Sequence, residues 1–286
     1  MQHPDYDSPA SLKTFLEENG MAMQKKFGQN FLINSNARTR LIDELDINEN
    51  SSVWEVGPGL GAMTDEILAR GAKLTVFEID RGFANCISSF FEDYQKKEKF
   101  SLILGDVLKT WKKEFEKSGV PDRFFGNLPY NIAATIIADM ISAGVRFEKS
   151  VVTVQKEVAQ RMCAEVGDSD YSSFSVLCKW AYDIKPIMDL SGGNFWPRPN
   201  VDSRAVIMTK KADFPCCNNP QHFQKLIRGL FLARRKTIRN NLTTFYGSSE
   251  RALAVLEKAQ INPMARAEEL PLQTLLHLAD VSDSML

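Results

Sequence analysis

The sequence predicts an open α/β fold that binds a nucleotide-like ligand at one sheet edge, followed by a helical C-terminal domain, and three stretches carry the first part. SVWEVGPGLG at 52–61 passes from an apolar run holding one acid, Glu55, into glycines at 57, 59 and 61. An apolar-periodic segment, 63–68, follows at once, the pattern of a buried strand turning sharply into a helix. KLTVFEID at 73–80 is a second apolar strand, ending in Glu78 about 20 residues after Gly57, the spacing at which an acid reaches ribose hydroxyls. SLILGDVL at 101–108 is a third, with Asp106 at its end. Open α/β sheets bind ligands outside the carboxyl ends of their strands. Glycine suits that turn because the ligand must approach the backbone and some positions require positive φ.

In chain order, residues 1–22 hold Asp5, Asp7, Glu17 and Glu18 and no apolar core, which reads as a frayed tail or short helix. QKKFGQNFL at 24–32 reads as a flap over the ligand pocket, with Lys25 and Lys26 toward a phosphate backbone. A packed N-terminal arm is the competing reading. A helix is expected over 36–45 and another over 109–118. RFFGNLPYNI at 123–132 is the most informative stretch: a strand runs into Gly126-Asn127-Leu128-Pro129-Tyr130. Pro129 stops the strand and removes an amide donor, leaving carbonyls outward. Asn127 adds a side-chain acceptor and Tyr130 a flat face for a base. An amide oxygen beside a free carbonyl can hold both protons of an exocyclic amino group.

Helices are then expected over 132–143, 155–165 and 174–182, and strands over 149–155, 183–190 and 203–210. The loop SGGNFWPRPNVDS, 191–203, is stiffened by two prolines around Arg198, and Phe195 on it is a second stacking face opposite Tyr130. Trp196 could equally be the stacker, or simply core. From 214 onward the pattern is helical, over 223–235, 248–259 and 268–280. The domain organisation is therefore a tail over 1–22, an α/β domain over 23–212 and a helical domain over 213–286.

The 286 residues are 44% hydrophobic and 25% charged, ordinary for a soluble protein of about two domains. No apolar run approaches a membrane span, and the start resembles neither a secretory signal nor a mitochondrial presequence. Five scattered cysteines without CxxC and three histidines without ligand spacing imply reduced thiols in a cytoplasm and no metal. The net charge of −1 conceals an excess of 9 basic over 6 acidic residues in 214–286. No acid occurs from 214 to 249, where Lys225, Arg228, Arg234, Arg235, Lys236 and Arg239 fall. If helical throughout, that stretch would gather Lys225, Arg228, Arg235 and Arg239 on one face for a polyanion such as RNA.

Together KKFGQNFL, EVGPGLGAMT, FEID, GDVL, GNLPYNI, FWPRPNVDS, ARRKTIRNNL and RAEELPLQTL stand in the order and spacing of one family. The chain resembles the bacterial 16S rRNA adenine N6,N6-dimethyltransferases from Lys26 to about Ala279. The resemblance implies a class I, Rossmann-like methyltransferase sheet, mostly parallel with one reversed strand, and a small all-helical C-terminal domain. It implies dimethylation of two adjacent adenosines near the 3′ end of 16S rRNA within the immature small subunit, by a monomer. S-adenosylmethionine would then contact Asn30, Leu32, Gly57 and Gly59, with Glu78 on the ribose, Asp106 on the adenine amino group and Asn127 at the methyl end. Asn127 and the Leu128 carbonyl, ahead of Pro129, would orient the target N6, with Tyr130 and Phe195 sandwiching the adenine. Lys25, Lys26, Arg198, Arg234, Arg235, Lys236 and Arg239 would meet RNA.

Ala133-Ala134-Thr135 departs from the Ser/Thr and Pro more usual after NLPYNI. The 23S rRNA adenine methylases share the glycine loop and an Asn-x-Pro-Tyr, but typically carry Ile at the Leu128 position and a different C-terminal region. A non-catalytic assembly factor would not need NLPY and Glu78. An NAD-dependent dehydrogenase would want a catalytic His or Tyr/Lys pair that the chain does not offer.

Overall fold

The structure, a computed structural model, describes residues 2–24 and 28–285. Its strands are β1 (Phe31–Leu32), β2 (Ser52–Val56), β3 (Lys73–Glu78), β4 (Phe100–Leu104), β5 (Arg123–Asn127), β6 (Lys149–Gln155), β7 (Tyr182–Leu190), β8 (Phe195–Trp196) and β9 (Ser203–Lys210). Seven of them form one sheet in the order β4-β3-β2-β5-β6-β9-β7, and β1 pairs with β8 separately. Pairing is parallel from β4 through β6, and β9 runs antiparallel to β6. The chain thus winds outward from β2 in one direction and from β5 in the other. Their junction is the switch point at which such sheets open a crevice.

The helices are α1 (Pro9–Glu18), α2 (Ser35–Asp43), α3 (Ala62–Ala69), α4 (Arg81–Phe90), α5 (Glu92–Lys96), α6 (Val107–Ser118), α7 (Ala133–Ser142), α8 (Lys156–Cys163), α9 (Ser173–Ala181), α10 (Pro220–Leu230), α11 (Ile238–Tyr246), α12 (Ser249–Lys258) and α13 (Leu272–Asp283). Leu41, Ile42, Ile67 and Leu68 of α2 and α3 pack with Leu74 and Val76 of β3 and Phe125 of β5 in one apolar core. None of the described helices is long and apolar enough to cross a membrane.

Two compact units emerge. One comprises Met1–Ile136, Arg146–Ala159 and Lys185–Lys210, the other Ile137–Val145, Gln160–Ile184 and Lys211–Leu286. A single cut at 212 therefore misses that the helical unit also takes in 137–145 and 160–184. The reason is apolar cover. In that unit Trp180 packs on Phe223 with centroids 5.1 Å apart and donates to the Pro215 carbonyl, and Tyr171 meets Phe231 edge-on.

Three element expectations are refined. Of the two readings of residues 1–22, a frayed tail or a short helix, the structure has the short helix, α1. Leu12, Phe15 and Leu16 of α1 are buried against Leu60, Phe83 and Cys86. Such side chains contribute about 1.5–3 kcal/mol each, enough to dock a ten-residue helix that alone would be marginal in water. The third strand stops at Leu104, because the Asp106 side chain accepts from the Leu108 N–H and caps α6. The helix expected over 223–235 ends at Leu230. Residues 231–237 turn, and α11, not anticipated as a separate helix, begins after the Thr237 cap.

Candidate active site at the carboxyl ends of the strands

Register builds the site. Val56 of β2 lies beside Phe77 of β3 and Gly126 of β5, so Gly57, Glu78 and Asn127, each the next residue, arrive at one level. The chain leaves β2 with φ of 73° at Gly57, 60° at Gly59 and 90° at Gly61, a left-handed sequence that favours glycine. A methyl group on Gly59 would meet the Phe31 ring at 3.0 Å, and one on Gly61 the Phe91 ring at 2.9 Å. α3 starts at once, and a cleft opens above the strand ends.

The cleft is acidic, and two of its acids, Glu55 and Glu78, are buried. Burial pushes Glu78 up to about 7, even though the backbone N–H groups of Asp80, Ile79 and Gly59 hold its charged form. Asp80 N–H donates to Glu78 Oε1 at 2.7 Å, and the Asp80 carboxylate in turn caps α4 through the N–H groups of Gly82 and Phe83. Glu55, only 1% exposed, is pushed by burial to about 8, against a 2.7 Å hydrogen bond donated by the Thr64 hydroxyl. Arg38 is the one cation among the described lining residues. Such a pocket suits a ligand that carries positive charge and hydroxyls.

At the end of β5, Asn127 Nδ2 donates to the Asn30 carbonyl at 3.0 Å. That bond fixes the amide and leaves Oδ1 as an acceptor. Leu128 N–H donates to the Thr153 carbonyl on β6, and Leu128 itself is buried. Tyr130 is half-buried, and its hydroxyl shares a 2.5 Å hydrogen bond with Ser203 Oγ on β9.

The N-terminal segment closes one side. Tyr6 and Leu12 line the cleft, and the Tyr6 hydroxyl donates to the Leu60 carbonyl in the glycine loop at 2.9 Å. Burial raises the Tyr6 phenol well above its ordinary value. Arg38 of α2, buried, bonds the Leu32 carbonyl at 2.9 Å and Asp7 at 2.6 Å. The Gln24 and Gln29 side-chain amides both donate to Asp80 Oδ2.

Of the residues expected from sequence, Asn30, Leu32, Gly57, Gly59, Glu78, Asp106, Asn127, Leu128, Pro129 and Tyr130 line this one cleft. Phe195 does not. It lies on β8 opposite Leu32, 3% exposed, with its ring in the apolar core. A two-residue strand sends successive side chains to opposite sides, so Trp196 is the partner left facing Phe31, ring centroids 6.1 Å apart. Lys25 and Lys26 lie outside the described residues. Arg198 is exposed.

The single basic face does not form, because the turn at 231–237 separates Lys225 and Arg228 on α10 from Arg239 on α11. Arg234 is engaged within its own unit, by Glu268 at 2.9 Å and the Ser169 carbonyl at 2.5 Å. Arg235, Lys236 and Arg239 are exposed. Sequence reasoning missed Tyr6, Arg38 and Thr64. Glu55 alone carried a signal, as the single acid in an apolar strand.

The sheet order with its one reversed strand beside β6, the glycine loop and the strand-end acids define a class I methyltransferase fold. The profile of the family described as ribosomal RNA adenine dimethylase matches residues 20–283, and the chain belongs to that family. It is thus an enzyme that methylates adenine in ribosomal RNA, with S-adenosylmethionine as methyl donor. "Ribosomal RNA small subunit methyltransferase A" of Treponema denticola is 46% identical over 97% of this chain and 96% of that one. The protein of the same name from Treponema pallidum is 41% identical over 99% of each. Among solved structures, a dimethyladenosine transferase from Plasmodium falciparum superposes with a TM-score of 0.73 at 25% identity, covering 86% of this chain and 94% of that one. The 23S rRNA methyltransferase ErmE shares the fold, with a TM-score of 0.61 at 21% identity over 88% of this chain and 99% of that one.

Proposed function

We propose that this protein dimethylates N6 of two adjacent adenosines near the 3′ end of 16S ribosomal RNA, acting as a cytoplasmic monomer on the immature small subunit. The relatives named for the small subunit support that choice of RNA. The residues present fit the cofactor: the glycines leave room for close approach, and Glu55 and Glu78 are buried acids whose ionisation a cation would favour. Asn30, Leu32 and Gly57 would hold it, with Glu78 at the ribose and Asp106 at the adenine edge. Once bound, S-adenosylmethionine supplies an electrophilic methyl group on sulfonium.

The rest of the work is positioning. An aromatic amine is a poor nucleophile because its lone pair is shared with the ring. Asn127 Oδ1 and the Leu128 carbonyl accept its two protons, which favours a pyramidal nitrogen with the lone pair directed into the cleft. Tyr130 offers its ring to one face of the base. The alkylated amine is acidic enough to lose its proton to water, so no general base is needed. Arg198, Arg235, Lys236 and Arg239, all exposed, contact phosphates in this reading.

The observation that carries the proposal is the 3.0 Å bond from Asn127 Nδ2 to Asn30, which leaves the amide oxygen for the substrate. Asn127→Ala removes that oxygen and nothing of the phosphate-binding surface. Because small misplacements of reacting groups cost about 100-fold, methyl transfer is expected to fall at least that far. Affinity for undermodified small subunits should hold within about twofold, since phosphate contacts dominate it. Full transfer by the variant would remove Asn127 from the chemistry.

A further inference from the structure

We infer that Ser203 is a positioning residue for methyl transfer, holding the Tyr130 ring at the mouth of the cleft through their shared 2.5 Å hydrogen bond. Ser203 cannot touch substrate. It has no exposed surface and does not line the cleft, whereas Tyr130 does. The two are 73 positions apart in the chain, so only the fold joins them.

Ser203 is itself well anchored. It opens β9 opposite Gln155 of β6, the preceding Asp202 carbonyl accepts from Lys156 N–H, and the Asp202 carboxylate accepts from Gly192 N–H. β6 also carries the Thr153 carbonyl that receives Leu128 N–H. One strand pair therefore fixes both the backbone of Asn-Leu-Pro-Tyr and the hydroxyl of its tyrosine.

A half-exposed tyrosine ring with a free hydroxyl can turn about its Cα–Cβ bond. With the hydroxyl tied to a buried serine, the ring face is held before the base arrives, which lowers the ordering cost of stacking on it. The VDS portion of FWPRPNVDS then has a role distinct from that of Phe195, whose ring is in the core.

This inference rests on the adenosine reading of the cleft. The test is steady-state transfer to undermodified small subunits by wild type, Ser203→Ala, Tyr130→Phe, the double variant and Ser203→Thr, with cofactor affinity from calorimetry. Ser203→Ala should lower kcat by about three- to tenfold, the range a neutral hydrogen bond is worth, and leave cofactor affinity and the KM for S-adenosylmethionine unchanged. Tyr130→Phe, which keeps the ring, should match it. The double variant should be no worse than either, and Ser203→Thr should recover most of the loss. A fully active Ser203→Ala, or losses that multiply in the double variant, would overturn the inference while leaving the adenosine reading intact. A wild type with no transfer to any small subunit would overturn that reading, and this one with it.

Discussion

The strand-end cleft and the basic stretch 214–249 contrast in how their residues come together. In the cleft, strand register does the assembly. Gly57, Glu78 and Asn127 each follow a residue whose pairing partners lie in the adjoining strands, so a local motif becomes a tertiary site without further conditions. In the basic stretch, the expected gathering of four cations depended on one uninterrupted helix. The turn at 231–237 breaks it, and Arg234, expected on RNA, pairs with Glu268. Parallel strands impose position on their end residues, whereas charges on a helical segment acquire theirs only from the packing of neighbouring helices.

The contrast breaks first if the cleft acids are dispensable. Glu78→Ala is expected to weaken S-adenosylmethionine binding by about 10- to 100-fold, the loss of a hydrogen-bonded charged acceptor worth about 1.5–3 kcal/mol. Calorimetry on a folded variant with unchanged affinity would show that register does not make the site.

The pH dependence follows from burial. Glu78 at about 7 and Glu55 at about 8 both stand above their ordinary value of 4.5. Their contribution to the stability of the ligand-free protein is therefore full below about pH 4.5 and lost as pH rises through 7 to 8. A cationic ligand favours the ionised forms, so its affinity should rise with pH across the same window, by up to about tenfold per unit for each proton released. Glu55→Gln should flatten both curves. Calorimetry in buffers of different ionisation enthalpy would count the protons, and a pH-independent affinity would contradict the desolvated-acid description.

The smallest effects sharpen the comparison within the basic stretch. Arg235→Ala with Lys236→Ala should reduce the salt slope of rRNA binding by roughly one to two units without changing stability. Arg234→Ala should do the opposite, leaving the slope alone and costing about 1 kcal/mol of stability through the lost pairing with Glu268. Filter binding across a salt series and thermal melts would separate them. Equal slopes for the two variants would mean that the Glu268 pair does not occupy Arg234 in solution.

The first half of the sheet was legible because β2, β3 and β4 are apolar runs that end at glycine or acid. Most of the cleft was legible because those end residues line it. What stayed hidden has a common physical cause. Tyr6 bonds Leu60 and Tyr130 bonds Ser203, contacts 54 and 73 positions apart that leave no local pattern. The docking of α1 hid for another reason: its three buried side chains sit in a short acidic segment with no longer apolar pattern to mark them. In the sequence, the place of Phe195 in a proline-braced loop points it to the cleft. The two-residue pairing of β1 with β8, too short to leave a periodicity, turns it inward.

The most direct test is to incubate the protein with methyl-labelled S-adenosylmethionine and both ribosomal subunits from cells lacking this modification, then map the labelled nucleosides. The expected result is N6,N6-dimethyladenosine at two adjacent positions near the 3′ end of the small-subunit RNA. Label on large-subunit RNA, on another base, or on neither subunit would contradict it.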